Sequence, residues 1–326
     1  MGSSSGPAGP RDAALPPELL PDYGWLRIPP VALPPPSAWK RWGRNLALFL
    51  LTAASVFAIG GLHGEGDGFN VSAGVRLMLG LLSILTAHEM GHYVAARLHK
   101  VDVTLPFFVP FPVPIFSLVG TLGAFIRIRG PIPNRRALFD IGVAGPLAGF
   151  LVAIPVLWLG ILEATVKPPS PEGMSLGTPL LFRWFAALFH APVPEGMNLV
   201  IGPLGLAAWF GLLVTALNLM PIGQLDGGHV TYSFFRERAH RISRVASWVC
   251  VALIYFGPSW ILWAVLVRVL GRRHPPTLDD ETPVGAARVA VGVLSLVVFV
   301  LCFVPDPIVV SWREILQETP LRGFLP

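Results

Sequence analysis

Charge is scarce in this chain. Only 13% of its 326 residues are Asp, Glu, Lys or Arg, against about 25% in soluble domains. That shortage excludes a large water-facing surface and leaves little room for a separate soluble domain. Cysteine is nearly absent as well. Cys250 and Cys302 both lie in apolar runs and lack CxxC spacing. They argue against a disulfide framework or a thiolate metal site and read as small packing residues. No apolar stretch follows the initiator Met, and position six is Gly6 rather than Ser or Thr. The start therefore reads neither as a secretory signal nor as a myristoylation site. No repeat period is present.

Apolar length is what the chain has in abundance. Hydrophobic residues make up 53%, mean hydropathy is +0.63, and several runs approach the roughly 20 residues that cross a bilayer. This predicts an all-α polytopic membrane protein. Spans fall at about 45–62, 73–98, 138–162, 198–219, 243–270 and 286–304. They number six, or seven if 243–270 is a hairpin bent at Gly257-Pro258, which Arg268, Arg272 and Arg273 at its far end favour. Residues 1–44, rich in Pro, Gly and Ser, read as a disordered arm. Residues 45–305 form the transmembrane domain and 306–326 a tail.

The net charge of +5 sits in Lys and Arg beside the apolar runs. Lys40, Arg41 and Arg44 precede the first span, and Arg97 and Lys100 end the second. Arg127, Arg129, Arg135 and Arg136 precede the third, and Arg236, Arg238, Arg241 and Arg244 follow the fourth. The pattern sets orientation, with the N-terminus cytoplasmic in an inner or plasma membrane, and does not point to nucleic acid.

Residues 101–136 break the helical pattern. PFFVPFPVP is too proline-rich for a helix, and SLVGTLGAFIRIRG is rich in β-formers. A re-entrant or interfacial loop is predicted between the second and third spans, with a β-strand or hairpin near 118–129. Its edge either receives an extended substrate segment by strand addition or plugs the bundle. Within the long loop 163–197, LFRWFAALFH reads as a short interfacial helix.

The chemistry lies in the second span. Residues 88–92 read His-Glu-Met-Gly-His, which on a helix puts two imidazoles on one face, one turn apart. They suit a zinc ion, with Glu89 as general base on water. Hydrolytic zinc takes three protein ligands and keeps one position open. Intramembrane carboxylates are few, and the best third ligand is Asp226, where NLMPIGQLDGG interrupts the fourth span and a new helix starts. A carboxylate there is costly unless paired with a cation or metal. Between the two motifs, GVAGPLAG offers Gly142, Gly145 and Gly149 for close helix approach.

HEMGH, GVAGPLAG and NLMPIGQLDGG, in this order and all in apolar segments, resemble the motifs of the site-two protease family of intramembrane zinc metalloproteases. Residues 120–149 are further similar to the branch that includes the plastid ethylene-dependent gravitropism-deficient proteins. The resemblance covers about 70–305 and includes no segment like the PDZ domain that some members carry. It implies one zinc ion on His88, His92 and Asp226, with Glu89 as catalytic base. It also implies Asn218 as a residue that positions substrate or stabilises the oxyanion. The implied substrate is a membrane-anchored protein cut in or near its transmembrane segment, after trimming by another protease.

Rival readings are a membrane zinc transporter or sensor using the same ligands, and a structural protein with a degenerate site. Among the remaining candidates, His229 reads as a helix-start residue. His63, His99, His190, His240 and His274 read as solvated span-end or loop residues. Asp140 reads as a capping or interface carboxylate, and Arg76 as a snorkelling cation.

Overall fold

A computed structural model describes residues 38–64, 68–113, 117–169, 175–255, 257–258, 260–261, 264–265 and 275–309. The chain divides into two compact units at Arg41, and the architecture below is that of residues 42–326. Most of the predicted arm, the tail from 310, His274 and most of the far half of 243–270 lie outside the described residues.

The chain is a helical membrane protein with two small sheets. Its elements run α1 (Ala38–Leu62), α2 (Val71–Leu98), β1 (Phe107–Pro110), β2 (Thr121–Phe125), α3 (Arg135–Leu162), β3 (Thr165–Lys167) and α4 (Leu180–Phe189). There follow β4 (Asn198–Val200), α5 (Pro203–Asn218), α6 (Asp226–Phe235), a 3-10 turn (Arg236–Arg238), α7 (Ala239–Leu253) and α8 (Ala286–Cys302). Among the described residues three helices are long and apolar enough to cross a membrane: Trp42–Leu62, α2 and α3. Their outer faces carry exposed apolar side chains such as Leu50, Leu79 and Leu151, a surface that suits hydrocarbon and not water.

The other apolar helices are shorter than the sequence predicts. The run 198–219 divides because Asn198–Val200 pairs antiparallel with Thr165–Lys167. Helix α5 then starts at Pro203, whose fixed φ and missing N–H suit a first helical position. Helix α7 stops at Leu253, before Gly257-Pro258. The short helix expected within 163–197 is α4.

Helices α2, α3 and α5 pack around one core. Leu77, Leu81 and Leu85 meet Leu157, Ile161, Leu212 and Ala216 there, all buried. Close approach depends on small residues. A Cβ on Gly91 of α2 would stand 2.4 Å from the Ala144 carbonyl oxygen of α3, so backbone meets backbone at that crossing. Asn70 and Asn134 cap α2 and α3 by accepting the N–H groups of Ala73 and Ala137, each at 2.9 Å.

At one end of this bundle Glu163 joins all three helices. Its Oε2 pairs with Arg76 Nη1 of α2 at 2.8 Å, and its Oε1 accepts the Leu204 N–H of α5 at 2.7 Å. Arg76 is thus an ion-pair partner and not a lone snorkelling cation. Glu163→Ala orphans both partners, which costs about 1–3 kcal/mol for a part-buried group. The expected result is a lower melting temperature with bound metal unchanged, read by thermal scanning and metal analysis of the same preparation.

At the opposite end Asp140 does not cap α3. It accepts from Arg288 Nε and Nη2 of α8, both at 2.7 Å, and lies 2.8 Å from His99 Nε2 at the end of α2. The cap reading of Asp140 gives way to Asn134, and Asp140 instead ties α3 to α2 and α8. His99 belongs to this cluster and is not simply solvated.

Strand β2 falls inside the predicted segment. Its partner is β1 in the proline-rich run, with Phe107 opposite Phe125 and Phe108 opposite Ala124. Pro106 and Pro110 fall just before β1 and at its last residue, where a missing N–H is tolerated. The hairpin is strapped to α1. Asn45 Nδ2 donates to the carbonyls of Leu105 and Pro106 at 2.9 and 2.8 Å, and Ser55 Oγ donates to the Gly120 carbonyl at 2.6 Å. Gly120 has φ of +80° and its missing Cβ would lie 2.7 Å from the Ser55 carbonyl oxygen, so only glycine fits.

Candidate metal centre

Helix α2 buries His88, Glu89 and His92 together. The two imidazoles face the first residue of α6. His88 Nε2 and His92 Nε2 are 3.2 Å apart, and Asp226 Oδ2 lies 3.3 and 3.2 Å from them. A tetrahedral zinc ion with ligands at about 2.0–2.1 Å holds them about 3.3 Å apart. The triangle therefore has the size of one face of that tetrahedron. Two imidazoles and one carboxylate are also a donor set of catalytic zinc. Among the described residues this is the only group of three or more His, Cys, Asp or Glu gathered closely enough to share an ion.

The sequence builds each corner locally. His92 Nδ1 lies 2.7 Å from the Ile141 carbonyl oxygen of α3. A carbonyl only accepts, so Nδ1 carries the proton and Nε2 turns its lone pair to the triangle. Asp226 opens α6 directly after Leu225. Gly227 and Gly228 let that helix start seat against the preceding turn, since a Cβ would stand 2.1 Å from the Leu219 carbonyl oxygen or 2.3 Å from that of Gly223. Asn218, the last residue of α5, places its amide nitrogen 3.2 Å from His88 Nε2.

Glycine spacing in α3 predicts close helix approach. The structure adds that the approach is onto the imidazoles themselves. A Cβ on Gly145 would lie 2.1 Å from His92 Nε2, and one on Gly149 would lie 3.1 Å from His88 Cβ. The stretch GVAGPLAG is a flat floor under both rings.

The triangle opens into a cavity of about 190 Å³ lined by Glu89, Phe125, Ile126, Asn218, Gln224 and His229 among others. The Ile126 N–H, just past β2, hydrogen-bonds the Glu89 carboxylate. All five residues singled out from the sequence, His88, Glu89, His92, Asn218 and Asp226, thus meet at one point. His229 lines the cavity but lies outside the triangle. Sequence reasoning does not reach Ile126 or Gln224. The first acts through its backbone, which no residue type reports. Gln224 is a polar side chain two residues before Asp226, the one available signal.

The family model described as Peptidase family M50 matches residues 76–257. The "Probable zinc metalloprotease EGY1, chloroplastic" of Arabidopsis thaliana is 30% identical over 256 residues, covering 76% of this chain and 45% of that protein. The "Probable zinc metalloprotease EGY2, chloroplastic" of Oryza sativa subsp. indica is 32% identical over 243 residues, covering 72% and 43%. The "Probable zinc metallopeptidase EGY3, chloroplastic" of Arabidopsis thaliana is 28% identical over 291 residues, covering 80% and 49%. The chain spans slightly less than half the length of these relatives.

Proposed function

The chain belongs to peptidase family M50, and from that premise we propose that it is an intramembrane zinc metalloprotease. His88, His92 and Asp226 hold the ion, Glu89 is the catalytic base, and the substrate is a membrane-anchored protein cut in or near its transmembrane segment. The observation that carries this reading is the triangle of ligand atoms with Glu89 beside it at the mouth of a cavity. The family match and the names of the relatives give the transporter alternative no support.

When bound, zinc supplies Lewis acidity and makes water more acidic. Glu89 takes a proton from the attacking water at its carboxylate and passes it to the amine nitrogen as the peptide bond breaks. The Asn218 amide, next to His88, donates toward the developing oxyanion. The Ile126 N–H holds the Glu89 carboxylate. Phe125, Ile126 and Ile128 give the cavity an apolar wall beside these groups. A substrate helix hides its amides, so the scissile stretch is held unwound along the segment after β2, which borders the cavity.

For topology we propose six or seven spans, with the β1–β2 hairpin re-entrant between the second and third. Helix α5 has 16 residues, about 24 Å at 1.5 Å per residue. It suffices because it runs from the β3–β4 sheet to the buried site and not from face to face. Arg135 and Arg136 open α3 and Arg236 and Arg238 follow α6, at the end of the bundle opposite Glu163, which supports a site nearer the cytoplasmic face.

The test is purified protein in lipid nanodiscs with a set of membrane-anchored single-span substrates. Cleavage is expected, lost with a zinc chelator and restored by added zinc. Zinc flux across proteoliposomes with no cleavage of any substrate would sink the protease reading in favour of transport.

A further inference from the structure

The segment 275–285 uses none of its residues in the chemistry above, yet it is held with unusual thoroughness. Leu278 and Asp279 donate their N–H groups to the Ile132 and Pro133 carbonyls, each at 3.0 Å. Arg136 Nε donates to the Pro283 carbonyl at 2.8 Å. The segment is thereby fixed to the start of α3. From that footing it reaches α6. Asp280 Oδ2 accepts the Tyr232 hydroxyl at 2.7 Å, and Asp280 Oδ1 accepts the Thr277 hydroxyl at 2.6 Å. Arg135, itself buried, donates to the Ser233 carbonyl near the end of α6 at 3.0 Å and to the Glu281 carbonyl at 3.3 Å. Arg236 pairs with Glu281.

Helix α6 needs this. It has 10 residues, too few to be stable by itself, and its first residue is Asp226. Tyr232 stands six positions on, about 9 Å along the axis. Where a metal site is concerned, a ligand displaced by as little as about 0.5 Å is a different ligand. We propose that Tyr232 and Asp280 are positioning residues: segment 275–285 clamps the far end of α6 to α3, so that Asp226 is held at the distance His88 and His92 require. The inference rests on the metal reading above.

The Tyr232–Asp280 bond suits a permanent fixture. Burial and then the Asp280 carboxylate push the Tyr232 hydroxyl well above the ordinary phenol range, so it remains a donor. Burial works against the Asp280 carboxylate, but hydrogen bonds from Thr277 and Tyr232 outweigh it and hold the group below the usual carboxylate range.

The experiment compares Tyr232→Phe, Asp280→Ala and the double variant with the parent chain, full length and in nanodiscs. Zinc affinity is read by competition with a chromophoric chelator, and ligand geometry by the visible absorption of the cobalt-loaded protein. Each single substitution is expected to weaken zinc about 10-fold, as loss of a ligand's support does, and to shift the cobalt bands. The double variant is expected to bind zinc no worse than Asp280→Ala alone, since either single substitution already removes the Tyr232–Asp280 bond and Asp280→Ala also removes the Thr277 contacts. Glu163→Ala, which loosens the other end of the bundle, is expected to lower the melting temperature with zinc affinity and cobalt spectrum unchanged. Zinc affinity within twofold of the parent in both single variants, while Asp226→Asn abolishes binding, would overturn the clamp and leave the metal reading standing. Unchanged zinc binding in Asp226→Asn would overturn both.

Discussion

A Glu89→Gln variant is expected to cleave about 10²–10⁴-fold more slowly than the parent, the usual contribution of a positioned base, while keeping a full equivalent of zinc. The two outcomes separate because Glu89 lies beside the triangle and not in it. The amide has nearly the shape of the carboxylate, so packing against Ile126 and the α2–α3 interface is undisturbed. What disappears is an acceptor basic enough to take a proton from water and return it to the leaving amine. Single-turnover cleavage of an anchored substrate, with zinc measured on the same sample, reads both. Unimpaired cleavage in this variant would remove Glu89 from the mechanism, and loss of zinc would make it a ligand.

Gly145→Ala is expected to be as damaging by a different route. The added methyl would occupy a point 2.1 Å from His92 Nε2 and 2.4 Å from Cδ2 and Cε1. The ring cannot retreat without breaking its 2.7 Å contact with the Ile141 carbonyl. Retreat of helix α2 would instead open its close crossing with α3 at Gly91 and Ala144. Either movement opens the triangle. Zinc affinity is expected to fall about 100-fold or more, and cleavage with it. Gly149→Ala, whose methyl would sit 3.1 Å from His88 Cβ, is expected to be much milder, a contrast that a general helix-packing role would not produce. Zinc content and chelator competition of the two variants provide the measurement. Equal behaviour of the two would reject the idea that the floor acts on the ligand atoms.

The gathering of His88, His92 and Asp226 was legible in the sequence because it is written in short spacings. Two imidazoles one helical turn apart, and a carboxylate in an apolar run where only a cation justifies it, carry their own physical reasons. Three of the expected spans coincide with helices long and apolar enough to cross a membrane. What stayed hidden depends on pairing across distance. Asp140 meets Arg288 at a separation of 148 residues, and nothing near either residue announces the other. Strands β3 and β4 have three residues each, too few to show the alternation by which strands are recognised, so the loss of β4 from the span 198–219 could not be foreseen. The hairpin half in the proline-rich run was masked by residues that ordinarily deny strand formation.

One consequence concerns how this protein is free to drift. The proton on His92 Nδ1 is directed by the main chain of residue 141 and not by any side chain. Substituting Ile141 with another apolar residue changes the wall but leaves that acceptor where it is. Comparison of orthologues by residue identity would therefore overlook the one partner that sets the tautomer of this imidazole. A change that displaces the α3 backbone itself, such as a kink introduced one turn earlier, would carry that acceptor away from the ring.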